Sequence, residues 1–276
     1  MGFSSSPPIK TSKHRGQHFL KDKNIVAKII AAGELSVKDT VLEVGPGLGV
    51  MTRAMLPGVS RLIAIELDPL FVSELRKEFG GEPKIAVVEA DILQVDVSSY
   101  GLAGGDYKLI TNLPYNISSA FLKKFLLLEA LPERIVVMLQ KEVADKIATH
   151  DERLAGASAN VLGLMCNLYA ACAPVCRVSA GCFSPPPKVD SAVICLKPYT
   201  ADAFLAKWGI PKSSAEEVIA FAARFFSAPR KKMCGLLPKP QAEKCRAALA
   251  ALGQSPDARP STLALPHWVE LWKKMR

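Results

Sequence analysis

Five short apolar runs, Thr40–Val44, Arg61–Ile65, Lys84–Val88, Lys108–Thr111 and Arg134–Leu139, are separated by amphipathic segments near Met51–Leu56, Leu70–Phe79, Ser118–Leu128 and Lys141–Thr149. The runs have strand length and the segments have helical spacing. Strands that alternate with helices pair in parallel, because each crossover returns the chain to the same end of the sheet. The pattern predicts an α/β fold with helices on both faces, whose ligands lie at the carboxyl ends of the strands near the point where strand order reverses. Polar residues collect at those ends: Gly45 follows the first run, Glu66 the second, Asp91 the third and Asn112 the fourth. Further runs around Asn167–Val178 and Val189–Leu196 complete a seven-stranded sheet with a hairpin-like end. A helix is expected at Asn24–Leu35, and a proline-punctuated tail supplies helices at Ala215–Phe226, Lys231–Leu237, Gln241–Leu252 and Leu263–Lys274.

A chain of 276 residues, 49% of them hydrophobic, accommodates one large domain and a small one. The net charge of +9 is unevenly placed. Residues 1–28 carry six Lys/Arg against one Asp, residues 201–276 carry thirteen against six acidic residues, and the middle is left at −3. Basic ends around a slightly acidic body suit a polyanionic partner. Residues 1–15 read as a flexible basic arm, although Met1–Ser6 fits a loose myristoylation pattern. The seven cysteines form no CxxC pair and have no histidine at ligand spacing, which argues for a reducing, cytoplasmic compartment and against a metal site. Residues 154–176 carry no charge, yet Ser158, Asn160, Asn167 and Pro174 suit a buried helix followed by a central strand better than a membrane span.

Gly45-Pro46-Gly47-Leu48-Gly49 has GxGxG spacing, which any Rossmann-like strand-to-helix turn can use; a nicotinamide dinucleotide site would want GxGxxG. Glu66 can accept both hydroxyls of a ribose, a role open to NAD and S-adenosylmethionine alike. Asp91, with the Ile92 backbone beside it, can receive the amine of an adenine and favours a ligand lying across the first four strands. Asn112-Leu113-Pro114-Tyr115 adds a chemical argument. The lone pair of an adenine amino group is delocalised into the ring, so a catalyst must draw it back onto nitrogen. The Asn112 oxygen and a backbone carbonyl freed by Pro114 can each accept one amino proton while Tyr115 stacks on the base. Methyl transfer to an amino nitrogen follows as the expected chemistry.

Those motifs, together with Gly16-Gln17-His18-Phe19-Leu20, Glu66-Leu67-Asp68, Met138-Leu139-Gln140-Lys141-Glu142-Val143 and Phe183-Ser184-Pro185-Pro186-Pro187-Lys188-Val189-Asp190-Ser191, resemble the rRNA adenine N6,N6-dimethyltransferase family over residues 16 to about 275. The resemblance is greatest to its KsgA-type branch, which modifies small-subunit rRNA. It implies a Rossmann-like class I S-adenosylmethionine-dependent methyltransferase domain over residues 16–198 and a small all-helical RNA-binding domain over 199–276. It implies that His18, Leu20, Gly45, Gly47, Glu66, Asp91, Ile92 and Asn112 bind S-adenosyl-L-methionine. Asn112, Leu113 and Pro114 would orient the target amine, and Tyr115 and Phe183 would sandwich the extruded adenine. Arg224, Arg230, Lys231 and Lys232 would contact phosphates. The implied partner is small-subunit rRNA within a partly assembled subunit, met by a monomeric cytoplasmic enzyme. Arg153–Ala159 and Pro229–Lys232 depart from the family pattern, which bears on RNA docking. A non-catalytic RNA-binding assembly factor is the alternative, and a broken tetrad would be its mark; here the tetrad is whole.

Overall fold

The computed structural model describes residues 18–148 and 160–276. The expected arm, the Gly16-Gln17 pair and the segment Arg153–Ala159 lie outside the described residues. Strand β1 (Phe19–Leu20) leads into α1 (Lys23–Gly33), whose first turn is closed by Asp22 accepting from the N–H groups of Asn24 and Ile25 at 2.8 and 3.2 Å. The alternating part comprises β2 (Thr40–Val44), α2 (Val50–Met55), β3 (Arg61–Glu66), α3 (Pro69–Phe79), β4 (Ile85–Glu89), β5 (Tyr107–Asn112), α4 (Ser118–Leu127), β6 (Arg134–Gln140) and α5 (Lys141–Ile147). Then come α6 (Val161–Tyr169), β7 (Ala170–Val178), β8 (Phe183–Ser184) and β9 (Ser191–Pro198). The tail holds α7 (Ala201–Trp208), α8 (Ala215–Phe226), α9 (Lys239–Ala251) and α10 (Leu265–Met275).

Seven strands form one sheet in the order β4-β3-β2-β5-β6-β9-β7. The first five are parallel, and β9 runs antiparallel to both neighbours. Chain order moves outward from β2 to β4 and then returns to β5 beside β2, so the switch point lies between β2 and β5. There the Thr111 hydroxyl donates to the Val44 carbonyl at 2.7 Å and ties the two strand ends together. Successive strand residues serve opposite faces. Leu42, Val44, Ile135 and Val137 join α4, α6 and the C-terminal helices through Phe121, Leu168 and Trp268. Val41, Val136 and Met138 join α1, α2 and α3 through Ile29, Met55 and Leu75. At the amino end of the sheet, buried Lys108 donates to the Glu34 carbonyl and the Asp39 carboxylate at 2.7 and 2.9 Å, anchoring the turn after α1.

Three expectations change. The strand after α6 is the edge β7, not a central one, and it starts only after the helix has run through Tyr169. Pro174 has no N–H to give a second neighbour, and the ladder is irregular between Pro174 and Cys176. The interior place goes to β9, whose residues Ser191–Leu196 are all buried. Lys231–Leu237 contains only the short 3-10 turn Met233–Leu236, held where the Met233 N–H donates to the Ala258 carbonyl, and Pro238 stands at the N-cap of α9. Helix α7 was not anticipated: Phe204 is its one buried residue, too few to make a periodic pattern. No helix among the described residues is long and apolar enough to cross a membrane.

Candidate active site

The residues after β2, β3, β4 and β5 surround one cleft at the switch point. Its broad part, about 930 Å³, is lined by His18, Gly45, Glu66, Leu67, Asp91, Ile92, Pro114 and Tyr115 among others. A narrower recess of about 100 Å³ shares His18, Gly45, Glu66, Pro114 and Tyr115 and adds Leu20, Gly47, Asn112, Leu113, Phe19 and Phe71. Eleven of the expected site residues therefore meet in one place; Phe183 does not line either part.

The glycine loop turns because Gly45, Gly47 and Gly49 adopt φ of 66°, 54° and 71°, a region that a Cβ disfavours. At Gly47 a Cβ would also come within 3.1 Å of the Phe19 ring. The Phe19 and Phe71 rings meet edge to face at 5.4 Å and wall the recess. Glu66 braces this loop from β3. One carboxylate oxygen accepts from the Gly47 N–H at 3.0 Å, and the other accepts from Leu67 and Asp68 at 2.9 and 3.0 Å. A carboxylate offers about four acceptor positions, so the loop leaves one for a ligand hydroxyl. Beneath the loop lies Glu43, fully buried, with one oxygen accepting from the Thr52 hydroxyl at 2.6 Å and the other without a partner among the described residues. Burial pushes its carboxyl up to about 8, and the negative charge of Glu66 adds to the rise against the pull of the Thr52 hydrogen bond.

Asp91 closes its own turn. Its Oδ1 accepts from the Leu93 N–H at 2.9 Å, and its carbonyl accepts from Gln94 and Val95 at 2.9 and 3.1 Å. Asp91 Oδ2 and the Ile92 N–H take no partner among the described residues. Together they form an acceptor beside a donor, the complement of an adenine edge. Across the cleft, the carboxamide of partly exposed Asn112 and the carbonyl of Leu113 are likewise unpartnered among the described residues. Tyr115 is half-buried, its hydroxyl 2.5 Å from Ser191 Oγ, and burial raises its pKa while Ser191 opposes the shift. His18 Nδ1 donates to the Pro185 carbonyl at 2.9 Å, joining the rim to the proline-rich loop. Leu20 lines the recess and pairs in register with Phe183, which is 1% exposed and packs among core residues. The Phe183 ring is thus packed in the core and not open to the cleft, so it does not stand opposite Tyr115 for a base sandwich. Arg224, Arg230, Lys231 and Lys232 are exposed around the end of α8, and Lys232 pairs with Asp257 at 2.7 Å.

Sequence reasoning gave no role to Phe71, Thr111, Lys124 or Ser191. Phe71 carried a usable signal, an aromatic one turn after the Glu66 strand end. The others depend on partners far away in the chain.

The cleft fits an adenosyl cofactor: two strand-end carboxylates with acceptor capacity to spare, an N–H without a partner among the described residues, and apolar walls at Leu67, Ile92 and Pro114. With a glycine loop on the neighbouring strand end and amide acceptors facing it, the molecule falls among the Rossmann-like class I methyltransferases. The family model for ribosomal RNA adenine dimethylase matches residues 9–208, and the chain belongs to that family. It is 36% identical over 270 residues to the ribosomal RNA small subunit methyltransferase A of Synechococcus elongatus, covering 94% of this chain and 93% of the relative. The protein of that name from Thermosynechococcus vestitus is 34% identical over 276 residues, covering 97% and 98%. Among solved structures, a dimethyladenosine transferase from Plasmodium falciparum superposes with a TM-score of 0.75 at 25% identity, covering 92% and 96%. The 23S rRNA methyltransferase ErmE gives 0.74 at 26%, covering 93% and 99%.

Proposed function

We propose that this chain transfers methyl groups from S-adenosylmethionine to the N6 nitrogen of adenosines in small-subunit rRNA, twice per base, to give N6,N6-dimethyladenosine. The observation that carries this reading is that Asn112, whose carboxamide has no partner among the described residues, and Tyr115 line the same cleft as Glu66 and Asp91. The names of the two cyanobacterial relatives support the choice of the small subunit.

When bound, the cofactor would supply an electrophilic methyl on sulfonium: a new N–C bond from the adenine lone pair would replace the S–C bond, whose electron pair would stay on sulfur. Glu66 accepts from the cofactor's ribose, while Asp91 Oδ2 and the Ile92 N–H hold its adenine. His18, Leu20, Gly45 and Gly47 shape the rest of that pocket. Asn112 Oδ1 and the Leu113 carbonyl each accept one proton of the target amino group, which concentrates the lone pair on nitrogen and aims it. Pro114 removes one backbone N–H from this turn and fixes its direction. Tyr115 stacks on the base, and Phe183 backs the Leu20 wall. After transfer the nitrogen sheds a proton to water, and in the second round the single proton left on the methylated amine engages one of the two acceptors before it too is lost to water. Residues 16–198 form the catalytic domain, and residues 199–276 dock RNA through Arg224, Arg230, Lys231 and Lys232. A partly assembled, cytoplasmic small subunit is the proposed substrate, approached by a single copy of the chain.

The test supplies methyl-labelled S-adenosylmethionine and undermethylated small ribosomal subunits, digests the RNA and identifies the labelled nucleoside. N6,N6-dimethyladenosine is expected from the wild-type chain, and none from Asn112→Ala at an unchanged melting temperature. Near-normal turnover by that variant, or label in another nucleoside, overturns the assignment.

A further inference from the structure

Lys124 lies on α4, between the fully buried pairs Phe121/Leu122 and Phe125/Leu126. Its side chain reaches back about thirty residues in sequence to the Asp91 turn, where Nζ donates to the carbonyls of Ile92 at 2.8 Å, Leu93 at 3.2 Å and Val95. An ammonium has three protons, and all three are taken. The turn is thereby accounted for from both sides: Asp91 takes the N–H groups of Leu93, Gln94 and Val95, and Lys124 takes carbonyls of the same segment. Left over among the described residues are Asp91 Oδ2 and the Ile92 N–H, an acceptor and a donor on two residues that line the cleft. Burial lowers the Lys124 pKa, while the carboxylates of Asp91 and Asp96 pull it back up. The same helix follows directly on the turn Tyr115–Ile117 that ends the Asn112 tetrad.

We propose that Lys124 is a positioning residue: its three hydrogen bonds set the Asp91-Ile92 turn in the form that binds the cofactor's adenine, and they fix that turn to the helix that follows the target-base tetrad. The proposal rests on the cleft reading above. An ammonium shared among three carbonyls resists the turn's rotation in a way that an apolar side chain of the same length cannot, so the effect of losing it falls on the adenine end of the site.

The experiment measures calorimetric binding of S-adenosylhomocysteine and of adenosine to the full chain, with steady-state methylation of small subunits alongside. Lys124→Met should weaken both ligands by a similar factor, about tenfold or more, as expected for the loss of charge-assisted hydrogen bonds. It should raise the KM for S-adenosylmethionine while kcat at saturation stays within about twofold. Lys124→Arg should recover most of the affinity. If Lys124→Met does not fold, Lys124→Gln, which keeps an amide donor, takes its place under the same criteria. Unchanged binding by the Lys124 variant, a fall in kcat without a rise in KM, or weakening of S-adenosylhomocysteine but not adenosine overturns the proposal. Asp91→Ala separates the two levels. If it weakens binding and the Lys124 variant does not, only the role of Lys124 fails; if neither does, the cleft reading fails as well.

Discussion

Tyr115 and Ser191 sit 76 residues apart in the chain, yet their hydroxyl oxygens approach to 2.5 Å, and Ser191 has no exposed surface. Ser191 opens the interior strand β9, so a fixed part of the sheet holds the ring that faces the cleft. Tyr115→Phe and Ser191→Ala should each lower kcat/KM by up to about tenfold, the range of one neutral hydrogen bond. The double variant should be no worse than either single one, whereas Tyr115→Ala loses the stacking face and falls further. A double-mutant cycle in initial rates checks this; additive losses would show that the two hydroxyls act separately.

Glu43 gives a pH dependence of known sign. Its carboxyl rises from an ordinary 4.5 to about 8 in the fold, so between those values the unfolded chain releases a proton that the folded chain keeps. Stability therefore declines as pH rises through that window, by about 1 kcal/mol per unit, and the decline ends once the folded carboxyl ionises near the upper value. Glu43→Gln should flatten the slope there and be relatively more stable at the alkaline end. Denaturant melts of both proteins across the window test it, and parallel slopes would contradict it.

Phe183 bears on stability first. At 1% exposure, truncation to Ala should cost about 3–5 kcal/mol, as for other buried aromatics. Phe183→Leu should keep most of the stability. Chemical denaturation gives the loss, and a change below about 1 kcal/mol would mean that the ring spends its time outside the core.

The basic residues after α8 should act through salt. Replacing Arg224, Arg230 or Lys231 by Ala should reduce the slope of log affinity against log salt by about 0.7–0.9 for each phosphate that is no longer neutralised. Lys232→Ala should change it less, because Asp257 already shares that charge. Fluorescence anisotropy on an rRNA fragment over a KCl series measures the slopes, and wild-type slopes in all four variants would place the RNA elsewhere.

The glycine loop and the Asn112 tetrad were legible because both are local: consecutive residues at strand ends, whose spacing alone sets the turn. The seven strands were legible for the same reason, since their apolar runs are short and bounded. Long-range choices were not. The uncharged stretch up to Cys176 could not reveal that β9 would take the interior position, because small residues such as Ala173 and Cys172 suit a sheet edge or a sheet centre equally. Nor does Lys124 differ in sequence from its exposed neighbour Lys123; only the approach of the Asp91 turn distinguishes them. ErmE and the Plasmodium enzyme superpose almost equally well on this fold, so backbone shape alone does not distinguish these relatives from one another.

The outermost strand β7 has a further effect on how molecules meet. Pro174 has no amide proton to offer an added strand, and the irregularity beside Cys176 breaks the register that such a strand would need. A neighbouring copy arriving there finds no continuous template, so concentrated solutions of this protein are guarded on that flank against strand-by-strand aggregation.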